Sequence, residues 1–526
     1  MNGNKIISSL LCLAALLLFF DNAEAQIYRD GQAKPYRKTL APKAVPVSIR
    51  ESIKPTAPDI VLPSPDLTEI REEDKTLSKE KGVKRIGILR QLPTPVNFPI
   101  DRASKGKWTD LREGGNVWTL TIQSTEAEAV RVHLDDVKLP PGTELMIYNT
   151  DNPQESYGPY SQKDLFGQSD FWTESVYGSK VTLEYHFPPG VEAGDASLKI
   201  HDFAHIYEKF SDLMPKVGAC HNDVLCFSNW LTEADGVAGL GTIGREGVVW
   251  CTGSLLNDFD DETFEDYFLT ANHCLSKNQT DLGTQAQANT IEFYWFYQSP
   301  CCPTDTSCTW TQPNPLNVPR TAGGADLISN QTAAAGNDHC FLRIRNETPG
   351  GVNYQGWSTG TPGGIDPPIL TGIHHPDGSW KRISLSYLKN SIYNNYWEVE
   401  WYSGVTEPGS SGSPLFDDAH RLIGQLFGGD SSCTTPQGHD WYGRFNLTYP
   451  LIERWLQVGG TIHVDRTYAG EELGTPLKPF NTVNEANNFS WDEVRIKIKA
   501  GSYPETVVFS RRMTVLATEG TAIIGQ

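Results

Sequence analysis

This sequence is short of positive charge: 44 Lys and Arg stand against 64 Asp and Glu, a formal net charge of -20. Binding along a phosphate backbone needs concentrated cations, so a nonspecific nucleic-acid partner is excluded. Long apolar runs are also missing. Only Ile6 to Phe20 comes near one, and it falls below the roughly 20 residues of a spanning helix, so no membrane anchor is expected. Between Cys12 and Cys220 there is no cysteine, and no paired C-x-x-C knuckle occurs anywhere, which disfavours structural zinc. Neither a metal nor a cofactor is expected.

What is present at the N-terminus reads as an export signal over residues 1–25. Lys5 supplies the positive end, Ile6 to Phe20 the apolar stretch and Ala23-Glu24-Ala25 the small-x-small cleavage site. The expected location is therefore secreted, extracellular or periplasmic, where disulfides persist. Nine cysteines remain after such processing, all between 220 and 433, and that clustering marks a separately folded unit.

The length, 526 residues, suggests about three domains. Residues 26–94 mix charge with proline, as in Lys54-Pro55-Thr56-Ala57-Pro58, and read as an extended leader or linker. Residues 95–216 change character. Val117-Trp118-Thr119-Leu120-Thr121-Ile122 and Val181-Thr182-Leu183-Glu184-Tyr185 alternate apolar and polar, and Pro140-Pro141-Gly142 and Pro188-Pro189-Gly190 mark turns. This predicts a small antiparallel β-sandwich without catalytic chemistry, a propeptide domain or binding module. Residues 217–457 hold short strand-like runs and one closing helix around Tyr449 to Leu456. The tail, 461–526, is strand-like again, with Val494, Ile496 and Ile498 alternating with Arg495 and Lys497. Its segment Gly474 to Val483 resembles the opening of some secreted right-handed β-helices, so a short β-rich module, complete or truncated, is expected.

Three segments carry the candidate chemistry: Phe268-Leu269-Thr270-Ala271-Asn272-His273-Cys274, Asp338-His339-Cys340-Phe341-Leu342-Arg343-Ile344 and Gly409-Ser410-Ser411-Gly412-Ser413-Pro414. A serine hydroxyl is a poor nucleophile until a histidine takes its proton, and that histidine needs a carboxylate to fix its tautomer. His273, Asp338 and Ser411 are the expected catalytic set. The glycines around Ser411 permit a tight turn that converges the Gly409 and Ser411 amides on a developing oxyanion. Asp326 competes with Asp338, and the latter is preferred because Phe341-Leu342-Arg343-Ile344 resembles the strand after the aspartate in a known family with this chemistry.

At these residues the chain resembles the trypsin/chymotrypsin-like serine proteases. Thr270 to Cys274 resembles their histidine motif and Gly409 to Pro414 their serine motif, with Ser410 in place of an aspartate. The resemblance is greatest to bacterial lysyl endopeptidases, on Val405 to Pro414, Ile373-His374-His375-Pro376 and Tyr442-Gly443-Arg444. It covers roughly 217–457. It implies a two-barrel chymotrypsin-like domain there, which with the β-sandwich ahead of it and the short β-rich tail after it makes the expected fold all-β. It implies a serine endopeptidase acting on proteins and peptides, with its own propeptide as a further partner. A monomer is expected.

The same resemblance implies disulfides Cys220–Cys433, Cys226–Cys302 and Cys251–Cys274, the last worth about 3 kcal/mol as a short loop closure. Cys301–Cys308 is the further pairing expected, leaving Cys340 unassigned. It implies that Asp440 supplies a preference for Lys over Arg in the primary pocket, with Glu407 as a second charge; the alternative for Asp440 is a surface turn. Val405 stands where trypsin-like enzymes often carry that acid. Trp357 is either an aromatic near the histidine or core. Phe427, beside Gly428 in the substrate cleft, falls where the branch has a histidine. His374 and His375 read as structural. Ser410 removes the aspartate that receives a new N-terminal amine in trypsin-like zymogens, and Lys216-Val217 is a self-processing bond that would suit the enzyme's own pocket. The competing functions are an inactive homologue acting as a binding protein, and a carbohydrate-active tail.

Overall fold

The computed structural model describes residues 44–525, apart from 54–56, 82, 99–104, 210–219, 245–246, 261–262, 277–279, 309–317, 365 and 390–393. The signal segment and the Lys216-Val217 bond lie outside the described residues. Strands make up 42% of the chain and helices 14%, so the all-β expectation holds.

The N-terminal unit is two sheets face to face. One contains Ile60–Leu62, Lys107–Asp110, Asn116–Ser124, Glu144–Asn149, Ser156–Tyr160 and Lys180–Phe187. The other is built on Lys84–Phe98, Ala129–Lys138 and Ser197–Ile206. Their inner faces share one core, in which Leu120, Ile147 and Leu183 meet Val96, Val132 and Phe203. Alternating apolar residues on each strand supply that core, as the period-2 pattern requires.

The leader reading of 26–94 is corrected here. Residues 60–98 belong to the folded unit, as a strand, the helix Thr68–Lys81 and a 15-residue strand. The helix escaped notice because it has no apolar stripe. It is held by charge instead: Arg85 pairs with Asp74 at 2.5 Å and with Glu73 at 3.0 Å, and Tyr207 donates to Asp74.

The strand Lys84–Phe98 also pairs with Gly247–Leu255, setting Gly87 opposite Val248 and Lys84 opposite Trp250. One sheet therefore runs from the N-terminal unit into the next. An apolar cluster seals the junction, with Ile86, Trp172 and Ile206 on one side and Val248, Trp250 and Tyr294 on the other. Buried polar groups cross it too: Ser175 Oγ donates to Glu292, and Arg131 to the Thr290 carbonyl.

Two barrels follow. The first is open: Glu292–Tyr294, Val237–Gly244, Gly247–Leu255, Tyr267–Ala271, His339–Ile344 and Ala325–Asn330 pair in that order. The second closes on itself through Ile369–His374, Arg382–Lys389, Tyr396–Ser403, His439–Arg444, Leu422–Gly429 and Pro414–Phe416. The closing helix runs from Phe445 to Val458. Beyond it, Thr461–Val464, Arg495–Tyr503 and Thr514–Ile524 stack as three parallel strands, with Thr461 opposite Arg495 and Arg495 opposite Thr514. Their core includes Val458 and meets Trp455, so the tail packs onto the closing helix.

Candidate functional site

The strand Tyr267–Ala271 ends in a short 3-10 turn that carries His273. Its neighbour in the sheet, His339–Ile344, begins beside it, because Ala271 pairs with His339. Asp338 stands at that strand's start, and its carboxylate Oδ2 lies 2.6 Å from His273 Nδ1. Oδ1 accepts the His273 amide at 3.2 Å, so both carboxylate oxygens grip one residue. Asp338 adopts φ +60°, a left-handed conformation that aspartate tolerates better than most residues. The Asn337 carbonyl accepts from Gln425, and its side chain bonds the Arg444 carbonyl, both from the second barrel, and Thr448 on the closing helix. Burial pushes the Asp338 carboxyl up from its usual range, against the opposing pull of His273. The far ring nitrogen, Nε2, is buried and has no hydrogen-bond partner among the described residues. Asp326 is elsewhere: burial is outweighed by Arg345 and Arg343, which bind it at 2.8 and 2.6 Å and hold its carboxyl low.

The Ser411 loop is tied to the same strands. The Ser411 carbonyl accepts the Thr252 amide at 2.9 Å, and Thr252 Oγ1 donates to the Gly409 carbonyl. Gly412, at φ +80°, has to be glycine, since a Cβ there would stand 2.1 Å from Thr270 Oγ1. This close approach packs the serine loop against the strand that leads to His273. Gly409 takes φ +95°, the sharp turn at which its amide and that of Ser411 come near each other in sequence.

Ser410 sits at the centre of a chain of hydrogen bonds. Ser384 Oγ donates to the Val405 carbonyl and so accepts from His374 Nε2, at 2.9 Å. His374 Nδ1 then accepts from Ser410 Oγ at 2.8 Å, and Ser410 Oγ accepts the Glu407 amide. The network assigns one neutral tautomer, and burial holds the His374 pKa well below the usual value, which agrees. Both ends of the chain grip the loop 405–411. His375 is buried as well, bonded to the Ser379 carbonyl and stacked on Tyr297. Replacing His374 by alanine leaves two buried hydroxyls each short of one partner, next to a cavity. A destabilisation of about 2–4 kcal/mol is expected, read as a lower urea midpoint.

The strand Leu422–Gly429 passes beside His273. Phe427 meets His273 edge-on at 6.1 Å between ring centroids. Gly428 follows at φ +148°, with open space where a Cβ would point. Gly429 pairs with Asp440 on the adjacent strand, and a Cβ on it would strike Asp440 Oδ1. Asp440 is fully buried and not a surface turn. Its Oδ2 accepts from Trp401 Nε1 at 2.6 Å, Thr406 Oγ1 at 2.7 Å and Ser431 Oγ at 2.6 Å, and none of these donors carries charge. Burial raises its carboxyl above the usual range and these hydrogen bonds lower it. Glu407 accepts the Cys433 amide at 2.8 Å, and burial, with Asp377 and Asp440 nearby, pushes its carboxyl up to about 7.

Disulfides join Cys220–Cys433, Cys226–Cys302, Cys251–Cys274 and Cys301–Cys308, and Cys340 is a buried free thiol. Cys251–Cys274 fastens the turn after His273 to the strand bearing Thr252. Of the two readings of Trp357, the structure shows the core position and not the cleft. It packs against Phe259, Phe445 and Tyr449 and donates to the Asn257 carbonyl, a core position under the closing helix. Sequence reasoning missed Trp401, Thr406 and Ser431. Trp401 alternates with Trp397 and Val399 and reads as core; only the pairing of Val399 with Asp440 reveals its second contact.

Residues 214–443 match the family described as lysyl endopeptidase, C-terminal domain, and residues 61–207 the lysyl endopeptidase N-terminal domain. A lysyl endopeptidase of Pseudomonas aeruginosa is 28% identical over 382 residues, covering 66% of this chain and 77% of the relative. Among solved structures, an HtrA-type protease AlgW with tripeptide is 17% identical, with TM-score 0.29; the match covers 44% of this chain and 64% of that one, a little under two thirds. A thermostable serine protease from an extremophilic microorganism is 14% identical, with TM-score 0.29, and the match covers 42% and 98%.

Proposed function

Because the chain is a trypsin-like serine endopeptidase close to lysyl endopeptidase, we propose that it cleaves peptide bonds on the carboxyl side of lysine, with arginine a weaker substrate. In this reading Ser411 attacks the scissile carbonyl and His273 takes its proton through Nε2. Asp338 holds the imidazole by Nδ1 and stabilises the imidazolium. The Gly409 and Ser411 amides receive the oxyanion.

The observation that carries the lysine preference is Asp440. A carboxylate buried among neutral donors attracts a cation, since either charge left unpaired in such a site costs several kcal/mol. Glu407 adds charge at the same place. Profiling of cleavage sites on a peptide mixture tests this: cuts should cluster after Lys. An even spread over neutral residues would remove the assignment.

Glu407 makes the preference depend on pH. With a carboxyl pushed up to about 7, it is neutral below that pH and anionic above it. A lysyl substrate gains from the anion, whereas a neutral substrate does not. The ratio of kcat/KM for a lysyl over a leucyl substrate should therefore rise several-fold between about pH 6 and pH 8. The catalytic step is common to both substrates and cancels from the ratio. Glu407→Gln should flatten the rise.

The reading extends to maturation. The loop around Ser411 is held by His374 and Ser410, so no new N-terminal amine is needed to order it. The enzyme is exported, and it releases itself by cutting after Lys216. N-terminal sequencing of the mature form should begin at Val217.

A further inference from the structure

The strand Ser197–Ile206 breaks its alternation at one point. Two neighbours, His201 and Asp202, are both half-buried, where a regular strand would turn them to opposite faces. The register shows why. Lys199 pairs with Asp135 and Phe203 with Val132, four residues against three, so one residue is inserted. A bulge of this kind re-aims side chains, and here it brings His201 and Asp202 to the same side. Asp202 Oδ1 lies 3.3 Å from His201 Nε2 and 2.7 Å from His133 Nδ1, the latter from the adjoining strand Ala129–Lys138.

His133 is oriented for the same point. Its ring stacks on Trp172 at 4.5 Å and 2°. Its other nitrogen, Nε2, lies 2.9 Å from Asp170 Oδ1. Both nitrogens thus face carboxylates, and against burial the hydrogen bonds to Asp170 and Asp202 push the His133 pKa up to about 9. An ion that binds Nδ1 therefore displaces the proton shared with Asp202, while Asp170 stays on Nε2 as the outer carboxylate. Donor atoms of His133, His201 and Asp202 all lie within 4.8 Å of one another. Zinc bonds of about 2.0–2.2 Å place tetrahedral donors roughly 3.4 Å apart, so a small outward shift of Asp202 completes the fit. The other two histidine–cysteine groupings of the described residues are spent, because their cysteines form disulfides.

We propose that His133, His201 and Asp202 form a divalent transition-metal site that takes zinc, with Asp170 as the outer carboxylate and solvent filling the remaining position. These ligands are not cysteine knuckles; they come from two strands that only the fold brings together. The ion ties Ala129–Lys138 to Ser197–Ile206 beside Trp172, which belongs to the apolar cluster at the junction with the barrels. Zinc therefore stabilises the N-terminal unit, and the site is independent of the proteolytic reading.

The test uses the purified full-length chain, stripped with chelator and titrated with zinc chloride alone, followed by native mass spectrometry and calorimetry. One zinc per chain and a raised Tm are expected. His201→Ala removes a side chain that is 42% exposed, so it should fold normally by circular dichroism yet bind at least tenfold more weakly. Asp202→Asn should do the same. Asp170→Asn, which spares the ligands, should weaken binding about 10–100-fold. Absence of stoichiometric zinc in the unaltered chain would overturn the proposal, as would unchanged affinity in folded His201→Ala and Asp202→Asn.

Discussion

Replacing Ser411 by alanine is expected to lower kcat by about a million-fold, roughly 8 kcal/mol of barrier. Labelling by a fluorophosphonate probe should disappear with it. The size of the loss follows from how the three groups depend on one another. Without the hydroxyl, neither the proton transfer to His273 nor the covalent intermediate exists, and only the oxyanion amides and substrate binding remain. Asp338→Asn should cost less, about ten-thousand-fold. It keeps the 2.6 Å contact to Nδ1 but offers an amide where an acceptor is needed, so the imidazole turns to the wrong tautomer. The two variants also separate the candidates for the acid. Asp326→Asn should leave kcat within a few-fold, since its carboxylate serves Arg343 and Arg345. A Ser411→Ala protein should also accumulate as the uncut precursor. A variant that retained a tenth of the activity, or that still reacted with the probe, would move the nucleophile elsewhere.

The motifs that carry this chemistry were legible because each lies within a few consecutive residues. Thr270 to Cys274 and Gly409 to Pro414 place their own backbone, and glycine is needed where Gly412 approaches Thr270. The two-barrel fold followed from resemblance at those points, while short alternating runs gave the sandwich ahead of it. What stayed hidden is carried by pairs distant in sequence. The helix Thr68–Lys81 has no apolar stripe, and its partners Arg85 and Tyr207 are not neighbours on any helical face. Trp357 reads from sequence as either a cleft aromatic or core, and only the closing helix, whose Phe445 and Tyr449 cover it, decides for the core. The continuation of one sheet from Lys84–Phe98 into Gly247–Leu255 joins segments some 160 residues apart, and no local pattern announces such a pairing. Likewise His374 and His375 read as one structural pair, yet His374 holds Ser410 and His375 does not.

Asp440→Asn should cost about 3–5 kcal/mol in kcat/KM for lysyl substrates, two to three and a half powers of ten, with little change for a neutral residue at the same subsite. Asparagine is the informative replacement. Its carbonyl can still accept from Trp401, Thr406 and Ser431, the three donors that surround Oδ2, so the pocket keeps its shape while losing its charge. Alanine would remove the acceptor as well and leave those donors buried and unpaired, mixing a folding defect with the specificity change. The ratio of lysyl to neutral activity is the right readout, because it is insensitive to the fraction of folded enzyme and to the catalytic step common to both substrates. Glu407 provides the internal control. Its carboxyl is pushed up to about 7 by burial and in part by the Asp440 charge, so in Asp440→Asn it ionises at lower pH, and the residual lysine preference should rise with pH over a range below that of the unaltered enzyme. In Asp440→Asn combined with Glu407→Gln, the preference should vanish throughout. A single Asn variant with an unchanged ratio would mean that the ammonium never reaches Asp440, and that Glu407 alone reads the charge.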